Sequence, residues 1–203
     1  MNLDILPIGL YGENSYVLHD QKHVLLIDPG RYAGEIRKRI SEDETVDAIV
    51  LTHGHEDHTG AVDDLCDLYH CPVYMDEKDL PLVDPANAGQ IGYSAPVYAK
   101  ITPLDPDTKA GFFQLEVTET PGHTAGSVCI RYRNLLFTGD TLFAGDIGRT
   151  DLYSGSEEEM MQSLHKIARM PHDLQVFPGH GPSSTIGREL QVNPYLQASF
   201  TES

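Results

Sequence analysis

Cysteine and basic residues are scarce in this 203-residue sequence, and long apolar runs are missing. The three cysteines (Cys66, Cys71 and Cys129) are too few and too irregularly spaced for a disulfide framework, which indicates a reducing cytoplasm. Only 14 lysine and arginine residues stand against 31 acidic residues, and the formal charge of −17 would repel the phosphate backbone of a nucleic acid. No run approaches the roughly 18–20 apolar residues that span a bilayer, and the first residues lack the basic and apolar regions of a secretory signal. We therefore predict a cytoplasmic protein with neither a nucleic-acid partner nor a membrane partner.

The remaining composition is that of an ordinary globular protein, with 40% hydrophobic and 22% charged residues. A chain of this length can bury a core of its own. Because no linker or low-complexity segment divides the chain, residues 1–203 are predicted to form a single domain. The sequence leaves open whether this domain is a monomer or a small homo-oligomer.

Strand-like runs and a few helical segments alternate along the chain. The clearest helix begins at a capping box formed by Ser156 and Glu159. Its predicted buried face consists of Met160, Met161, Leu164 and Ile167. The segment 76–110 is rich in proline, aspartate and glycine and is predicted to be mostly loop with one or two helical turns. Other helices are predicted at 32–40, 59–69 and 185–192, and strands at 14–20, 23–30, 46–52, 71–75, 112–122, 127–132, 134–140 and 174–181.

The two halves of the chain resemble each other. The stretches "YVLHDQKHVLLID" and "VCIRYRNLLFTGD" are both predicted hairpins that end in an acid, Asp28 and Asp140 respectively. In each half a helix follows, and then a strand that runs into histidine, "AIVLTHGH" and "LQVFPGH". This repeat predicts two β-rich halves packed sheet on sheet, with helices outside and histidines from both halves at one edge. Asp28 is expected to brace the loops around that edge.

The segment "LTHGHEDHTG" at residues 51–60 places His53, His55, Asp57 and His58 within six positions. His53 and His55 lie two apart on an extended segment, so their rings can point to the same side. Asp57 and His58 follow at a predicted helix start, where the chain turns and can serve a second ion. Imidazole and carboxylate ligands suit Zn²⁺, and also Fe or Mn. One short segment rarely fills a coordination sphere by itself, so this cluster predicts ligands from elsewhere in the chain.

Three further candidates each follow a strand-like run and have glycine nearby: His123 in "TPGHTAG", Asp140 in "FTGDTL" and His180 in "FPGHG". A histidine taken alone is more often solvated or hydrogen-bonded, as we expect of His19, His23, His70, His165 and His172. Together with the cluster, the three candidates make seven ligands, which divide into two sites that share one carboxylate. We therefore predict two divalent metal ions per chain, zinc first, with iron or manganese as alternatives.

The motif "THGHEDH" has the H-x-H-x-D-H form of the metallo-β-lactamase superfamily, and His123, Asp140 and His180 follow in the matching order. The resemblance covers nearly the whole chain, from "NSYVL" and "LIDPG" onward. The stretches "TPGHTAGS", "LFTGDTLFAGDIGRTDL" and "FPGHGPSSTIGRELQVNPYL" resemble the short bacterial glyoxalase II-type hydrolases, the hydroxyacylglutathione hydrolases. The fold that this resemblance implies is a four-layer αβ/βα sandwich of the α+β class, with two mixed β-sheets flanked by helices.

The same resemblance implies a role for each ligand. The first metal would be held by His53, His55 and His123, the second by Asp57, His58 and His180, and both by Asp140. The implied reaction is hydrolysis of a small-molecule thioester, S-lactoylglutathione or a related hydroxyacyl thioester, by a hydroxide that bridges the two ions. Asp57 could also act as a catalytic residue that steers the attacking hydroxide.

Recognition of the thiol carrier is matched only in part. Residues 181–203 follow the last ligand, whereas full-length glyoxalase II enzymes carry a C-terminal helical domain that helps to hold glutathione. Arg149 in "GDIGRTD" matches a basic residue that contacts glutathione in those enzymes, so Arg149 is a candidate substrate-binding residue. The alternative for Arg149 is a structural ion pair with Asp146 or Asp151. The aromatic contact that follows this basic residue in those enzymes is replaced here by Asp151.

Several other functions remain open. "GRTD" and "TPGHT" also resemble persulfide dioxygenases, which use one iron held by two histidines and one aspartate and would leave Asp57, His58 and His180 without an ion. Lactonases and β-lactamases share the site chemistry, although Asp140 argues against the lactamase classes that use cysteine at that place. The superfamily's nucleases usually carry an added domain, and the charge of −17 disfavours them too. The last alternative is a non-enzymatic metal-binding module, which unchanged biological activity after loss of Asp140 or His123 would support.

Overall fold

The computed structural model describes residues 1–9 and 12–201, and the side chains of residues 199–201 lie outside this description. Two mixed β-sheets pack face to face, and helices cover the outer face of each sheet. This arrangement confirms the predicted four-layer αβ/βα sandwich.

Six strands form the first sheet and lie beside one another in chain order: β1 (Asn2–Ile8), β2 (Glu13–Asp20), β3 (His23–Ile27), β4 (Thr45–Val50), β5 (Val73–Met75) and β6 (Ile101–Pro103). The strands from β1 to β3 are antiparallel, and those from β3 to β6 are parallel. Because both faces of this sheet are covered, β3 is an almost continuous run of Val, Leu and Ile, and β4 ends in the buried apolar residues Ala48, Ile49 and Val50.

Five strands form the second sheet, in the spatial order β15 (Ser184–Thr185), β14 (Gln175–Pro178), β11 (Leu135–Gly139), β10 (Val128–Tyr132) and β9 (Glu116–Glu119). The pair β11 and β14 is parallel and the other pairs are antiparallel. The strands β9, β11 and β14 therefore run in the same direction, and their carboxyl ends meet at one edge. Two short ribbons complete the strands: β7 (Lys109–Ala110) with β8 (Phe113–Gln114), and β12 (Leu142–Phe143) with β13 (Asp146–Ile147).

The helices are α1 (Ala33–Arg37), α2 (Glu56–Thr59), α3 (Val62–Tyr69), α4 (Leu80–Val83), α5 (Glu157–Ile167), α6 (Ile186–Val192) and α7 (Pro194–Thr201), with a 3₁₀ turn at Glu77–Asp79. The predicted capping of α5 is confirmed, since the Ser156 hydroxyl accepts a hydrogen bond from the Glu159 backbone N–H at 3.3 Å. Within the part of the chain that the structure describes, no helix is long and apolar enough to cross a membrane.

Three apolar layers hold the four structural layers together. Alternate residues of each strand of the first sheet point to opposite layers: Leu18 and Leu25 enter the layer between the sheets, whereas Val17 and Leu26 enter the layer under α1 and α3. The third layer lies between the second sheet and the helices α5, α6 and α7, and it includes Leu136. Burial of these layers fixes the two sheets relative to each other, and with them the edge where the strand ends meet.

The structure adds a strand that the sequence did not predict. The strand β1 pairs along its whole length with β2, although no strand was predicted before residue 14. Pro7 weakens the strand signal, and it is tolerated because β1 is the edge strand of the sheet, where one side of its backbone is not needed for pairing. Burial of Leu6 in the layer under α1 anchors β1 to the core.

The predicted helices differ from the structure mainly at their bounds. The segment 59–69 belongs to two helices, α2 and α3, because the chain bends after Thr59 and the Ala61 backbone N–H bonds to the carbonyl of Pro29 at 2.9 Å. The helix predicted at 32–40 is only α1, and α7 was not predicted. Met161 is half-buried, whereas the other three predicted residues of the buried face are fully buried. The segment 76–110 is mostly loop as predicted, apart from β6 and β7.

Candidate metal centre

All seven predicted ligands lie where strands end at one edge of the sandwich. The chain leaves β4 just before His53, β9 before His123, β11 directly before Asp140 and β14 before His180. Backbone hydrogen bonds join the two sheets at this edge, for example from the Asn14 N–H to the carbonyl of Gly179 at 2.7 Å. Two halves that are distant in sequence are therefore held in register at the site.

The first group of predicted ligands consists of His53, His55 and His123, all of them buried. One ligand atom from each ring lies within 4.8 Å of the others. The Nδ1 of His55 and the Nε2 of His123 are 2.9 Å apart. We call this group the three-histidine triad. Its geometry could hold one metal ion.

The second group consists of Asp57, His58 and His180, and we call it the mixed triad. Its ligand atoms also lie within 4.8 Å of one another, and the Asp57 Oδ2 is 3.4 Å from the His180 Nε2. Asp57 and His58 are consecutive residues in the single turn of α2, which places both of them next to His180. This triad could hold a second ion.

Asp140 stands between the two triads. Its Oδ1 is 3.4 Å from the Nε2 of His58, and its Oδ2 is 3.5 Å from the Nε2 of both His123 and His180. A side chain at Gly179 would not fit here, because a Cβ atom would lie 2.1 Å from the Asp140 Oδ1. The position of Asp140 suits a carboxylate shared by two ions.

Hydrogen bonds on the far side of two rings decide which nitrogen is free to bind a metal. The Nδ1 of His123 lies 2.7 Å from the backbone carbonyl oxygen of Arg149. A carbonyl oxygen can only accept, so this Nδ1 carries the hydrogen and Nε2 presents its lone pair to the site. The Nδ1 of His58 donates in the same way to the Oδ2 of Asp28 at 3.0 Å.

Asp28 sets the orientation of a third ring through Thr52. The Asp28 Oδ1 accepts from the Thr52 backbone N–H at 2.7 Å, and its Oδ2 accepts from the Thr52 hydroxyl at 2.6 Å. Because the hydroxyl hydrogen of Thr52 is used, its oxygen accepts from the Nδ1 of His53 at 3.1 Å. Although Asp28 also lies within 4.8 Å of His53 and His58 ligand atoms, these bonds occupy its oxygens. Asp28 therefore braces the loops around the site, as the sequence predicted.

Unsatisfied polar atoms mark the site as a place for cations. Among the described residues, four buried side-chain atoms lack a hydrogen bond: His53 Nε2, His55 Nε2, His58 Nε2 and Asp140 Oδ1. Burying such atoms without a partner costs about 1–3 kcal/mol each. All four belong to the predicted ligand set, and the imidazole and carboxylate donors suit Zn²⁺, Fe or Mn. The residues present therefore fit a bound metal.

The two triads differ in their protonation when no metal is bound. Burial, and then the charge of His58, lower the pKa of His53 well below its ordinary value. Burial lowers the pKa of His55 to about 3, so both rings are neutral near pH 7. Burial alone would lower the pKa of His58, but Asp140 and Asp28 together raise it well above its ordinary value. The pKa of His180 is likewise raised against its burial, mainly by its hydrogen bond with Asp57.

This difference predicts that only the mixed triad shows a strong pH dependence of metal binding. A raised pKa means that His58 and His180 hold protons that a metal must displace, so affinity should rise with pH. His53 and His55 have no such proton to lose at neutral pH. We expect the affinity of the mixed triad to rise about tenfold per displaced proton and pH unit while the pH is below the raised pKa values of His58 and His180, and to level off above them.

Competition titrations with a chromogenic chelator would measure each affinity, using His123→Ala to isolate the mixed triad and His180→Ala to isolate the three-histidine triad. Equal pH slopes in the two variants would contradict this expectation.

A cavity of about 280 Å³ opens over the two triads. Its walls include the side chains of Tyr93, Phe143 and Leu152. Tyr93 comes from the long loop between α4 and β6, and its backbone carbonyl accepts from the Glu56 N–H at the start of α2 at 2.9 Å. The cavity thus places a partly apolar surface next to the predicted metal ligands.

Arg149 lines the same cavity, but its guanidinium is paired. Its Nε and Nη2 donate to the two carboxylate oxygens of Asp151 at 2.7 and 2.8 Å. Of the two ion-pair partners considered from the sequence, the structure shows Asp151. The Arg149 backbone also has a role that was not predicted, since its carbonyl orients His123.

Some residues at the site were not predicted from the sequence. Thr52 orients His53, and Asp79 bonds to the loops that carry ligands of the three-histidine triad. Thr52 directly precedes the histidine cluster, so its position was a usable signal. Asp79 lies in the proline- and aspartate-rich segment, and no motif distinguishes it there.

Comparison with known proteins agrees with this geometry. Residues 8–180 match the family described as the metallo-beta-lactamase superfamily. The chain is 34% identical over 201 residues to the probable metallo-hydrolase YqgX of Bacillus subtilis, covering 94% of this chain and 95% of that protein. It is also 34% identical over 215 residues to the hydroxyacylglutathione hydrolase GloC of Haemophilus influenzae, covering 98% and 99%.

Two solved structures share the fold over nearly their whole length. BLEG-1 B3 metallo-beta-lactamase superposes with a TM-score of 0.86 at 37% identity, covering 96% of this chain and 99% of that one. TTHA1623 in a di-iron-bound form superposes with a TM-score of 0.84 at 33% identity, covering 95% and 99%.

Proposed function

The chain belongs to the metallo-β-lactamase superfamily and is a metallo-hydrolase, and we propose that it uses two metal ions to hydrolyse a thioester. The proposed substrate is S-lactoylglutathione or a related hydroxyacyl thioester. The observation that carries the two-metal part is the meeting of two triads around Asp140. The similarity to hydroxyacylglutathione hydrolase GloC supports the substrate class.

In this proposal the three-histidine triad would hold the first ion, the mixed triad would hold the second, and Asp140 would serve as a ligand for both. The unpaired buried atoms and the fixed Nδ1 hydrogens of His53, His58 and His123 support the assignment. A mononuclear dioxygenase would use only one group of ligands. The close approach of Asp57, His58 and His180 therefore favours the dinuclear hydrolase.

When bound, divalent ions would lower the pKa of a coordinated water to about 7 and polarise a carbonyl oxygen. The chain itself holds the ligands in the correct tautomers and orients Asp57 through its contact with His180. Phe143 and Leu152 would exclude water from one side of the bound acyl group. A thiolate is a good leaving group, so the chain needs no strong acid beside the cavity. We propose zinc as the resident metal, with iron as the first alternative because TTHA1623 is similar and di-iron-bound.

Two further points belong to the proposal. Arg149 would contact a carboxylate of the thiol carrier, in competition with its ion pair to Asp151. A cytoplasmic location is supported by the cysteines, because Cys66, Cys71 and Cys129 are all free thiols in the structure.

The proposal predicts about two ions per chain after purification without added metal, and turnover of S-lactoylglutathione. A His58→Ala variant should retain about one ion and hydrolyse S-lactoylglutathione at least about 100-fold more slowly. It would lose part of the stabilisation that the second metal gives to the transition state. Elemental analysis and a steady-state assay would measure both. The control is His172→Ala, which removes an exposed ring. Full activity of His58→Ala with one metal per chain would contradict the dinuclear scheme.

β-Lactam hydrolysis is the second candidate, because BLEG-1 B3 metallo-beta-lactamase is 37% identical. A chromogenic β-lactam assayed beside the thioester would separate the two activities. The mononuclear alternative has its own signature, which is one iron per chain, oxygen uptake with a persulfide and no thioester cleavage.

A further inference from the structure

Asp79 is a buried carboxylate that belongs to neither triad. It ends the 3₁₀ turn before α4 and is 1% exposed. Burial raises the pKa of Asp79, and three hydrogen bonds oppose this effect. A buried ionisable side chain is costly when an apolar residue could fill the same space. A buried carboxylate at this position therefore needs a role beyond packing, and its hydrogen bonds show where that role lies.

The carboxylate of Asp79 bonds to two separate loops. Its Oδ2 accepts from the Gly54 backbone N–H at 2.9 Å, and Gly54 lies between the ligands His53 and His55. The same oxygen accepts from the Thr124 hydroxyl at 2.7 Å, and Thr124 directly follows the ligand His123. One side chain thus connects both loops that supply the three-histidine triad.

The second oxygen of Asp79 strengthens the link to the later loop. Its Oδ1 accepts from the Gly126 backbone N–H at 2.7 Å. A Cβ atom at Gly126 would lie 2.6 Å from the Asp79 Cγ, so this contact requires glycine. The Ser127 hydroxyl lies 2.8 Å from the Thr124 hydroxyl and can donate to it, which leaves the Thr124 hydrogen for Asp79. The glycine in "HTAG" is explained by the approach of Asp79.

We propose that Asp79 is a positioning residue that fixes the distances from His53 and His55 to His123. It thereby sets the affinity of the three-histidine triad for its metal. None of the three residues of the mixed triad is adjacent in sequence to the residues that bond to Asp79, which are Gly54, Thr124 and Gly126. The metal affinity of the mixed triad should therefore be independent of Asp79. This inference rests on the ligand assignment proposed above.

Asp79→Asn is the sharpest test because neither orientation of the amide fits. If the NH₂ group of the asparagine takes the place of Oδ1, it faces the Gly126 N–H, and two donors meet. If the NH₂ group takes the place of Oδ2, it faces the Gly54 N–H in the same way. We expect Co²⁺ affinity to fall by about 10–100-fold in the His180→Ala background, where only the three-histidine triad is complete. In the His123→Ala background, where only the mixed triad is complete, affinity should stay within about twofold.

Two controls distinguish positioning from a general structural role. Asp76→Asn alters a buried aspartate of the same segment whose Oδ1 accepts from the Lys78 N–H, and an Asn side chain can keep that bond. It should leave Co²⁺ affinity unchanged in both backgrounds. If Asp79→Asn does not fold, Thr124→Val removes one of the same bonds, and Thr124→Ser keeps the hydroxyl and should rescue the affinity.

The proposal is overturned if Asp79→Asn and Thr124→Val bind Co²⁺ like the parent in the His180→Ala background. It is also overturned if both triads weaken equally. If neither background binds Co²⁺ before Asp79 is changed, the ligand assignment itself fails. Normal binding in both backgrounds with no effect of Asp79→Asn would leave the proposed function standing and reject only the role of Asp79.

Discussion

An Asp140→Ala variant should bind metal poorly at both triads and hydrolyse S-lactoylglutathione about 1,000-fold more slowly than the parent chain, equivalent to roughly 4 kcal/mol of transition-state stabilisation. The reason is the position of Asp140, whose two oxygens lie 3.4 Å from His58 Nε2 and 3.5 Å from His123 Nε2. Losing this one carboxylate would remove a proposed ligand from each site at once. Elemental analysis and steady-state kinetics would measure the two effects.

The matched control is Asp146→Ala. Asp146 is an exposed aspartate of the same segment, and its carboxylate accepts from the neighbouring Ile147 N–H. This variant should keep about two ions and the parent rate. An Asp140→Ala chain that still holds two ions, or that loses less than about tenfold in rate, would show that Asp140 does not hold the metals together.

Central strands could be predicted because both faces of their sheet are covered, which leaves continuous apolar runs such as "HVLLI". The four-layer arrangement was implied by the resemblance to the metallo-β-lactamase superfamily. The internal repeat then indicated two sheets in contact. Elements that are stabilised mainly by contacts with residues distant in sequence were harder to predict. The helix α7 begins at Pro194, directly after α6, and packs against α5. Its packing against α5 cannot be read from the sequence. The strand β1 depends on pairing with β2 and on Leu6, while Pro7 argues locally against a strand.

The meeting of the seven candidate ligands could be predicted because few other settings gather histidine and aspartate in this way, and the structure brings all seven to one edge. The residues that orient them could not be predicted so fully. Asp28 reaches His58 across 30 positions of the chain, and Asp79 reaches Gly126 across 47. Such hydrogen bonds depend on how the loops meet in the folded chain. Asp28 was expected to brace the loops, but its bond to His58 was not predicted, and no sequence feature distinguishes Asp79.

Replacing Asp28 with asparagine should therefore weaken metal binding by about 10–100-fold although the residue is not a proposed ligand. Asparagine tolerates the left-handed backbone at this position, where φ is 48°. The Thr52 backbone N–H requires an acceptor at 2.7 Å, so the amide oxygen of Asn must stay there and its NH₂ group must face His58. The Nδ1 of His58 would then have to accept, which moves its hydrogen to Nε2, the atom proposed to bind metal.

Nuclear magnetic resonance of ¹⁵N-labelled imidazoles in the metal-free protein, recorded above the raised pKa of His58 so that its ring is neutral, would show this change directly, as a switch of the His58 ring from an Nδ1–H to an Nε2–H form. A chelator titration would give the loss of affinity. The control is Asp20→Asn, because Asp20 is also buried but accepts from Tyr132 and pairs with Arg133. It should leave both the His58 tautomer and the metal affinity unchanged. If Asp28→Asn kept the parent affinity, the tautomer of His58 would not depend on Asp28, and the orientation of this ligand would have to come from its packing alone.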